Sequence, residues 1–451
     1  MIAALSRLNP NVVLVASALV TALTEAFGPT RAARYGPECA VAALALAVVW
    51  LSRHRLDIRV VVALAVALPA ALAVVHLARG IAGDGDVRDV YPAEGGSLLH
   101  GTYPHSEYPP GAVVLFAFET WSASARSMNP FVMAACQGGV AWSIVSLGSG
   151  GARWLAGALA IWPVNAFFWE FKFDALPAAL LVVGLVFALR ERWAVSGALL
   201  GLGAAVKWTP GLSFVMLALW LVAVGRRRDA ARHAAAFVVA AAVVVGPFLV
   251  WAPGAVWSSV TRQAPRALTP ESFWYLPLHA LGRASQPGQI YDAAGVSART
   301  NHFVVAVQVL ALAALAVFLV RRRPSVSGAV AAAATAPVVF LLLNKVFSAQ
   351  YILVIVAAGF MAAVLVGRAL SVGALLLVAA AANLFVYPLT VHWRPASAVL
   401  FLCALASVLL VLRGVARPKL AGGAREAGAG SNRRLRGKDS KLDYPIQSLP
   451  E

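Results

Sequence analysis

Residues 53–91 read RHRLDIRVVVALAVALPAALAVVHLARGIAGDGDVRDVY. A basic cluster comes first, then an almost purely apolar run at about 59–80, then Asp84, Asp86 and Asp89 within six residues. As a helix the run crosses the roughly 30 Å hydrocarbon core of a bilayer, which takes about 20 apolar residues. Its flanks orient it, because Lys and Arg collect in cytoplasmic loops. The arginines at 53–59 are therefore expected inside and the aspartates outside.

Outward from this stretch the pattern repeats, with RER at 190–192, RRRDAARH at 226–233, RRR at 321–323 and NRRLRGKDSK at 432–441. Of 451 residues, 61% are hydrophobic and 12% charged. Soluble domains are nearer half apolar, with about a quarter of their residues charged. The expected fold class is an all-α polytopic membrane protein. A net charge of +18 in a soluble chain would point to nucleic acid. Here the arginines punctuate apolar runs, so the expected partner is the lipid bilayer and not nucleic acid. Cys39, Cys136 and Cys403 fall in or beside apolar stretches, which predicts neither a disulfide framework nor a metal cluster. MIAALSRLNP carries no clear small-residue cleavage site, so the first helix is expected to be retained.

Placing each arginine cluster inside gives helices at about 11–27, 38–52 and 59–80. GAVVLFAFETW, broken by Glu119, reads as a shallow or re-entrant element within 110–130. Helices follow at about 130–148, 152–169 and 174–189. The segment 196–225 begins and ends at inside clusters, yet its 30 residues give only about 45 Å of helix. That is too short for two crossings, so a hairpin broken around Lys207–Pro210 is expected. The remaining helices lie at about 231–252, 302–320, 326–343, 351–367, 369–386 and 396–412. Segments 81–110, 169–174, 253–301, 344–350 and 387–395 then share the outer side, with Arg31 and Arg34 stranded there too. Residues 1–412 form the membrane domain of a multi-pass plasma-membrane protein. Residues 413–451 form a basic cytoplasmic tail, expected to be disordered.

The outer segments carry recognisable motifs. Asp86 and Tyr91 precede HGTYPHSEYPPGA (100–112), FDALPAALLVVGL (173–185), GALLGLGAAVKWTP (197–210), RALTPESFWYLP (266–277) and NKVFSAQYIL (344–353). In this order they resemble glycosyltransferase family 87, which includes actinobacterial mannosyltransferases that use polyprenyl-phosphate mannose. Three features depart from that pattern. Ala349 stands where a proline commonly precedes the Gln-Tyr pair, the Asp86-to-Tyr91 spacing is off by one, and three helices instead of one precede the acidic segment. The resemblance implies a GT-C-like bundle with an extracytoplasmic catalytic face. It also implies transfer of a hexose, mannose first, from a polyprenyl-phosphate donor to a hydroxyl of a glycolipid or cell-wall glycan acceptor.

The chemistry of that transfer assigns the residues. An acceptor hydroxyl needs a general base, and one displacement with one base inverts the sugar carbon. Asp86 matches the family aspartate best, Asp89 is the second candidate and Asp84 the third. The departing lipid phosphate calls for fixed cations. Lys345 is the first candidate, followed by Arg262 and Arg266. Lys207 costs roughly 2.5–3.5 kcal/mol at a helix centre, which implies either a cavity-facing role or snorkelling. Gln350 and Tyr351 belong to the same motif as Lys345. Tyr108 and the prolines of EYPP order the loop, and Glu107 either binds sugar hydroxyls or caps a helix. Asp174 either pairs with Lys172 or faces the cavity. Trp274, Tyr275 and Trp393 offer ring faces to a sugar or form an interfacial belt. His392 is a further candidate for proton transfer. No cofactor is expected beyond the lipid-linked donor, and metal ligation by Asp84, Asp86 and Asp89 is the less favoured option. Alternative functions are arabinosyl transfer from a polyprenyl-phosphate donor and lipid-linked sugar flipping. Flipping calls for charges at mid-membrane in several helices, and only Lys207 meets that.

Overall fold

The computed structural model describes residues 5–28, 31–80, 85–122, 125–163, 172–262, 266–286 and 294–416. Asp84, residues 169–171 and most of the basic tail lie outside them. The described chain is helical, with two isolated β-bridges, Leu268–Ala294 and Ala284–Val296. It is an all-α polytopic membrane protein. Among the described residues, seven helices are long and apolar enough to cross a bilayer.

Helices α1 (Pro10–Phe27), α2 (Arg31–Leu51) and α3 (Ile58–Ala78) come first. Asn9 caps α1 by accepting the Asn11 N–H, and Asp57 caps α3 by accepting that of Arg59. Arg34 is buried against Glu25 at 2.6 Å, with His76 3.3 Å from the same carboxylate. Arg34 thus lies within α2 and not in the loop expected from the sequence, and its charge is neutralised inside the bundle, so it carries no orientation signal.

Of the segment expected as an outer loop, residues 86–99 are helical. A π-turn at Asp86–Val90 runs into α4 (Tyr91–Leu99). The region 110–130 likewise forms α5 (Pro110–Ser122) and the start of α6 (Ala125–Val145), which absorbs Pro130. Next come α7 (Gly150–Ile161), shorter than its apolar run, and α8 (Ala175–Leu189). The broken hairpin is present as α9 (Trp193–Val206) and α10 (Thr209–Ala223), with Lys207 and Trp208 at its tip. At its open end Trp193 meets Trp220, ring centroids 6.1 Å apart. Near the tip a Cβ on Gly203 would stand 2.9 Å from Pro210. The arms have 14 and 15 residues. Each therefore spans about 21–23 Å, less than the hydrocarbon core. Gly225, at φ +81°, turns the chain into the next helix.

Helix α11 (Arg227–Trp251) is followed by α12 (Pro253–Thr261), α13 (Tyr275–Ala280), α14 (Ala298–Arg322), α15 (Val326–Leu342), α16 (Ile352–Leu365), α17 (Ala369–Val386) and α18 (Trp393–Ala416). Helices α15 and α16 are buried almost all round, and alanines 331–334 of α15 are fully enclosed. Small residues let backbones close up where apolar side chains gain little by leaving lipid. The α9–α11 seam shows this: a Cβ on Gly197 or Gly201 would lie 2.1 or 2.4 Å from the carbonyl oxygens of His233 and Phe237.

The 15 residues of α8 separate Asp174 from Arg190 by about 22 Å of helix. At the arginine end Arg226 bridges Glu191 and Asp229, each at 2.7 Å. Trp220 Nε1 donates there to Pro324 O at 3.0 Å. The opposite end of α8 opens on the acidic residues.

Candidate active site

The acidic segment is shaped by one hydrogen bond. The Tyr91 N–H donates to Asp86 O, five residues back, where an α-helix would bond four back. The π-turn thereby holds one residue more between Asp86 and Tyr91 than an α-helical turn would. Tyr91 is buried and stacks on Phe116, ring centroids 4.1 Å apart at 7°. Tyr108 and Phe173 meet edge-on at 5.3 Å, and both stand edge-on to Phe116 at 5.4 Å. Four rings thus clamp the π-turn, the 100–109 loop, α5 and the start of α8 into one body. Gly95 allows the close approach, since a Cβ there would lie 2.4 Å from Phe116 O.

Two lysine–aspartate pairs flank Phe173. Lys172 Nζ donates to Asp86 Oδ2 at 2.6 Å. Lys207, at the hairpin tip, pairs with Asp174 Oδ1. Its Nζ also lies 4.5 Å from the Tyr351 ring centroid and 5.2 Å from that of Phe173. Asp174 is buried, and its Oδ2 has no hydrogen-bond partner among the described residues. Of the two options for Asp174, it takes neither the Lys172 pair nor an open cavity: it neutralises Lys207.

Further carboxylates surround the pairs. Burial pushes Glu271 up to about 8, with the nearby Lys172 charge opposing the shift. Burial also raises Glu94, and the charges of Glu107 and Asp86 add to it. The Ser106 hydroxyl, 2.6 Å from Glu94 Oε2, and the Arg262 charge act the other way. Ser106 Oγ in turn accepts the Tyr108 N–H at 2.9 Å. Burial holds the Tyr108 phenol well above its usual range, reinforced by the negative charges of Asp86, Glu94, Asp174 and Glu107.

Asp86, Tyr108, Asp174, Lys207 and Tyr351 therefore come together. At the rim, Arg266 Nη1 contacts Glu107 Oε2 at 3.2 Å and Arg262 Nη1 donates to His105 O at 2.8 Å. Both arginines fasten the 105–107 loop. Asp89 is exposed and forked with Arg88, whose hydrogen bonds hold its carboxyl below the usual range. Lys345 is buried and donates to Asn301 Oδ1 at 3.0 Å, and burial lowers its affinity for a proton. Gln350 is half-buried in a short 3₁₀ turn, Ala349–Tyr351, where Asn383 Nδ2 donates to Ala349 O at 2.9 Å. His392 is exposed at φ +48° ahead of α18. Tyr275 is fully buried, stacked on His279 and 5.6 Å from Trp393. Trp274 Nε1 donates to Leu343 O at 2.8 Å.

Sequence reasoning missed Lys172 as the partner of Asp86, and it missed Glu94 and Glu271 altogether. Lys172 lies in the segment 169–174 and Glu271 inside the quoted motif RALTPESFWYLP. Their acid and base types were the available signal.

Fold and site define a helical, polytopic membrane protein with interlocked acids and lysines at one end of its bundle. The chain belongs to glycosyltransferase family 87: the family model matches residues 107–344, more than half of the chain. It is a membrane glycosyltransferase. No curated protein and no solved structure matches the chain. Tyr108, Lys172, Asp174, Lys207 and Glu271 fall within the matched segment, whereas Asp86, Lys345 and Tyr351 fall outside it.

Proposed function

We propose that this enzyme transfers a hexose, with mannose the first candidate, from a polyprenyl-phosphate sugar to a hydroxyl of a glycolipid or glycan on the extracytoplasmic face. The carrying observation is the Asp86 carboxylate, about a third exposed and gripped by Lys172. It lies at the end of α8 remote from Arg190, and arginine clusters favour the cytoplasmic side. Asp86 accepts the acceptor's hydroxyl proton as the oxygen bonds to the anomeric carbon, a contribution of about 10²–10⁴-fold. The bond from that carbon to the phosphate oxygen breaks in the same displacement, its electron pair leaves on the phosphate, and the anomeric centre inverts. Fixed cations meet the growing phosphate charge. Lys345 beyond α15 is the first candidate, followed by Arg262 and Arg266 at the rim. The apolar helices hold the isoprenoid tail in the bilayer.

The test is turnover of purified protein in lipid nanodiscs with radiolabelled polyprenyl-phosphate mannose and a membrane lipid extract as acceptor. Labelled, anomerically inverted glycolipid is expected. Transfer from polyprenyl-phosphate arabinose alone would establish the arabinosyl alternative. Donor crossing a vesicle bilayer without product would establish the flippase.

A further inference from the structure

We propose that Thr269 is a positioning residue for the transfer: it clasps the backbone at Lys345 and Phe347 and so fixes where the Lys345 ammonium stands. This rests on Lys345 being the cation that meets the lipid phosphate. Hydrogen bonds join two of the motifs quoted from the sequence, RALTPESFWYLP and NKVFSAQYIL. The Thr269 N–H donates to Lys345 O at 3.0 Å. The Thr269 hydroxyl accepts the Phe347 N–H at 3.0 Å and donates to Phe347 O at 3.2 Å.

The local backbone explains why such a clasp is required. Residues 344–348 lie between α15 and the 3₁₀ turn at Ala349–Tyr351, outside any helix. A helix bonds its own backbone groups along the chain, whereas an irregular segment finds partners elsewhere. Asn344 Oδ1 accepts the Val346 N–H at 3.3 Å, and Thr269 serves Lys345 and Phe347. At the start of the segment Trp274 Nε1 donates to Leu343 O at 2.8 Å. The 269–274 stretch thus holds the chain at alternate positions, Leu343, Lys345 and Phe347.

Both sides of the clasp are anchored in the fold. Thr269 O accepts the Ser272 N–H at 3.0 Å, and Leu268 O accepts the Ala294 N–H at 2.9 Å. Phe347 is buried and stands edge-on to Phe401 of α18 at 5.1 Å and to Tyr351 at 5.8 Å. From this fixed backbone the Lys345 Nζ donates to Asn301 Oδ1 at 3.0 Å. A cation set in advance needs no rearrangement as charge develops on the departing phosphate. Misplacement by about 1 Å costs on the order of 10²-fold. The Thr269 hydroxyl is therefore expected to matter for the donor and not for the acceptor.

The experiment measures kcat/KM for polyprenyl-phosphate mannose at saturating membrane lipid extract in nanodiscs. It compares wild type, T269V, T269S, K345M and the double variant T269V/K345M. Valine keeps the shape of threonine without its hydroxyl, and serine restores the hydroxyl. T269V is expected to lose about 10–10²-fold with the half-saturating amount of extract unchanged, and T269S to recover most of that loss. In the K345M background T269V is expected to cost no more than about twofold, because a residue acting through Lys345 has nothing left to position. An equal loss in both backgrounds would make Thr269 a packing residue and overturn the proposal. So would wild-type turnover in T269V. If T269V does not fold, T269A, which removes the same hydroxyl, carries the same expectations. K345M separates the two levels: wild-type turnover there sinks the reading of Lys345, whereas a slow K345M beside additive losses sinks only the role of Thr269.

Discussion

Lys172 and Asp174 stand two positions apart and serve different partners. Lys172 reaches Asp86 at 2.6 Å, and Asp174 neutralises Lys207 at the tip of the α9–α10 hairpin. One short stretch at the start of α8 thereby ties the acidic π-turn to the hairpin, and Phe173 between them locks into the aromatic clamp.

The Lys207–Asp174 pair makes a stability prediction. Breaking a buried pair from one side leaves an uncompensated charge, which costs about 3–5 kcal/mol. K207M is therefore expected to lower the unfolding temperature of the detergent-solubilised protein markedly. The double variant D174N/K207M is expected to recover most of the loss. Equal damage in the double variant would show that Lys207 contributes by packing alone.

The π-turn makes a second. Arg88 is an exposed residue of the five-residue π-turn. Deleting Arg88 shortens the Asp86-to-Tyr91 spacing by one and lets the turn close as ordinary α-helix. Transferase activity is expected to survive the deletion. Complete loss in a folded deletion variant would show that Asp86 depends on the π geometry itself.

Seam packing gives a third. An alanine methyl at Gly201 would stand 2.4 Å from Phe237 O, whereas Gly246 of α11 has nothing within 4 Å. Overpacking of a tight contact costs about 1–3 kcal/mol. G201A should melt lower than wild type and G246A close to it. Thermal unfolding of the two side by side checks this.

Glu271 gives a fourth, with a definite sign. Its folded-state value, about 8, lies above its unfolded one. Between those values the folded state holds a proton that the unfolded state has lost, so stability falls as pH rises. E271Q removes this dependence. Its unfolding temperature relative to wild type is therefore expected to climb from pH 5 to pH 8, and a constant difference would contradict the assignment.

Much of the bundle was legible because hydropathy and charge act locally. The run at 59–80 became α3 within two residues at either end. The hairpin followed from length and Pro210, and its tip fell at Lys207–Trp208. YPAEGGSLL was harder: its two glycines and its polar neighbours argued for a loop, and packing of Tyr91 and Gly95 on Phe116 stabilises a helix instead. The π-turn was visible only as a spacing mismatch. Lys172–Asp86 joins residues 86 positions apart, and no local rule reports such a pair. Adjacency offered Lys172 as one option for Asp174, but the fold brings Lys207 to Asp174 and Asp86 to Lys172.

The most direct test is the rate of sugar transfer by purified D86N and D89N, assayed together with polyprenyl-phosphate mannose. D86N should fall by about 10²-fold or more, the loss of a general base, while D89N, whose carboxylate is exposed and held by Arg88, should stay near wild type. A D86N enzyme running at the wild-type rate, or a D89N enzyme that collapses in its place, would contradict the assignment of Asp86 as the base.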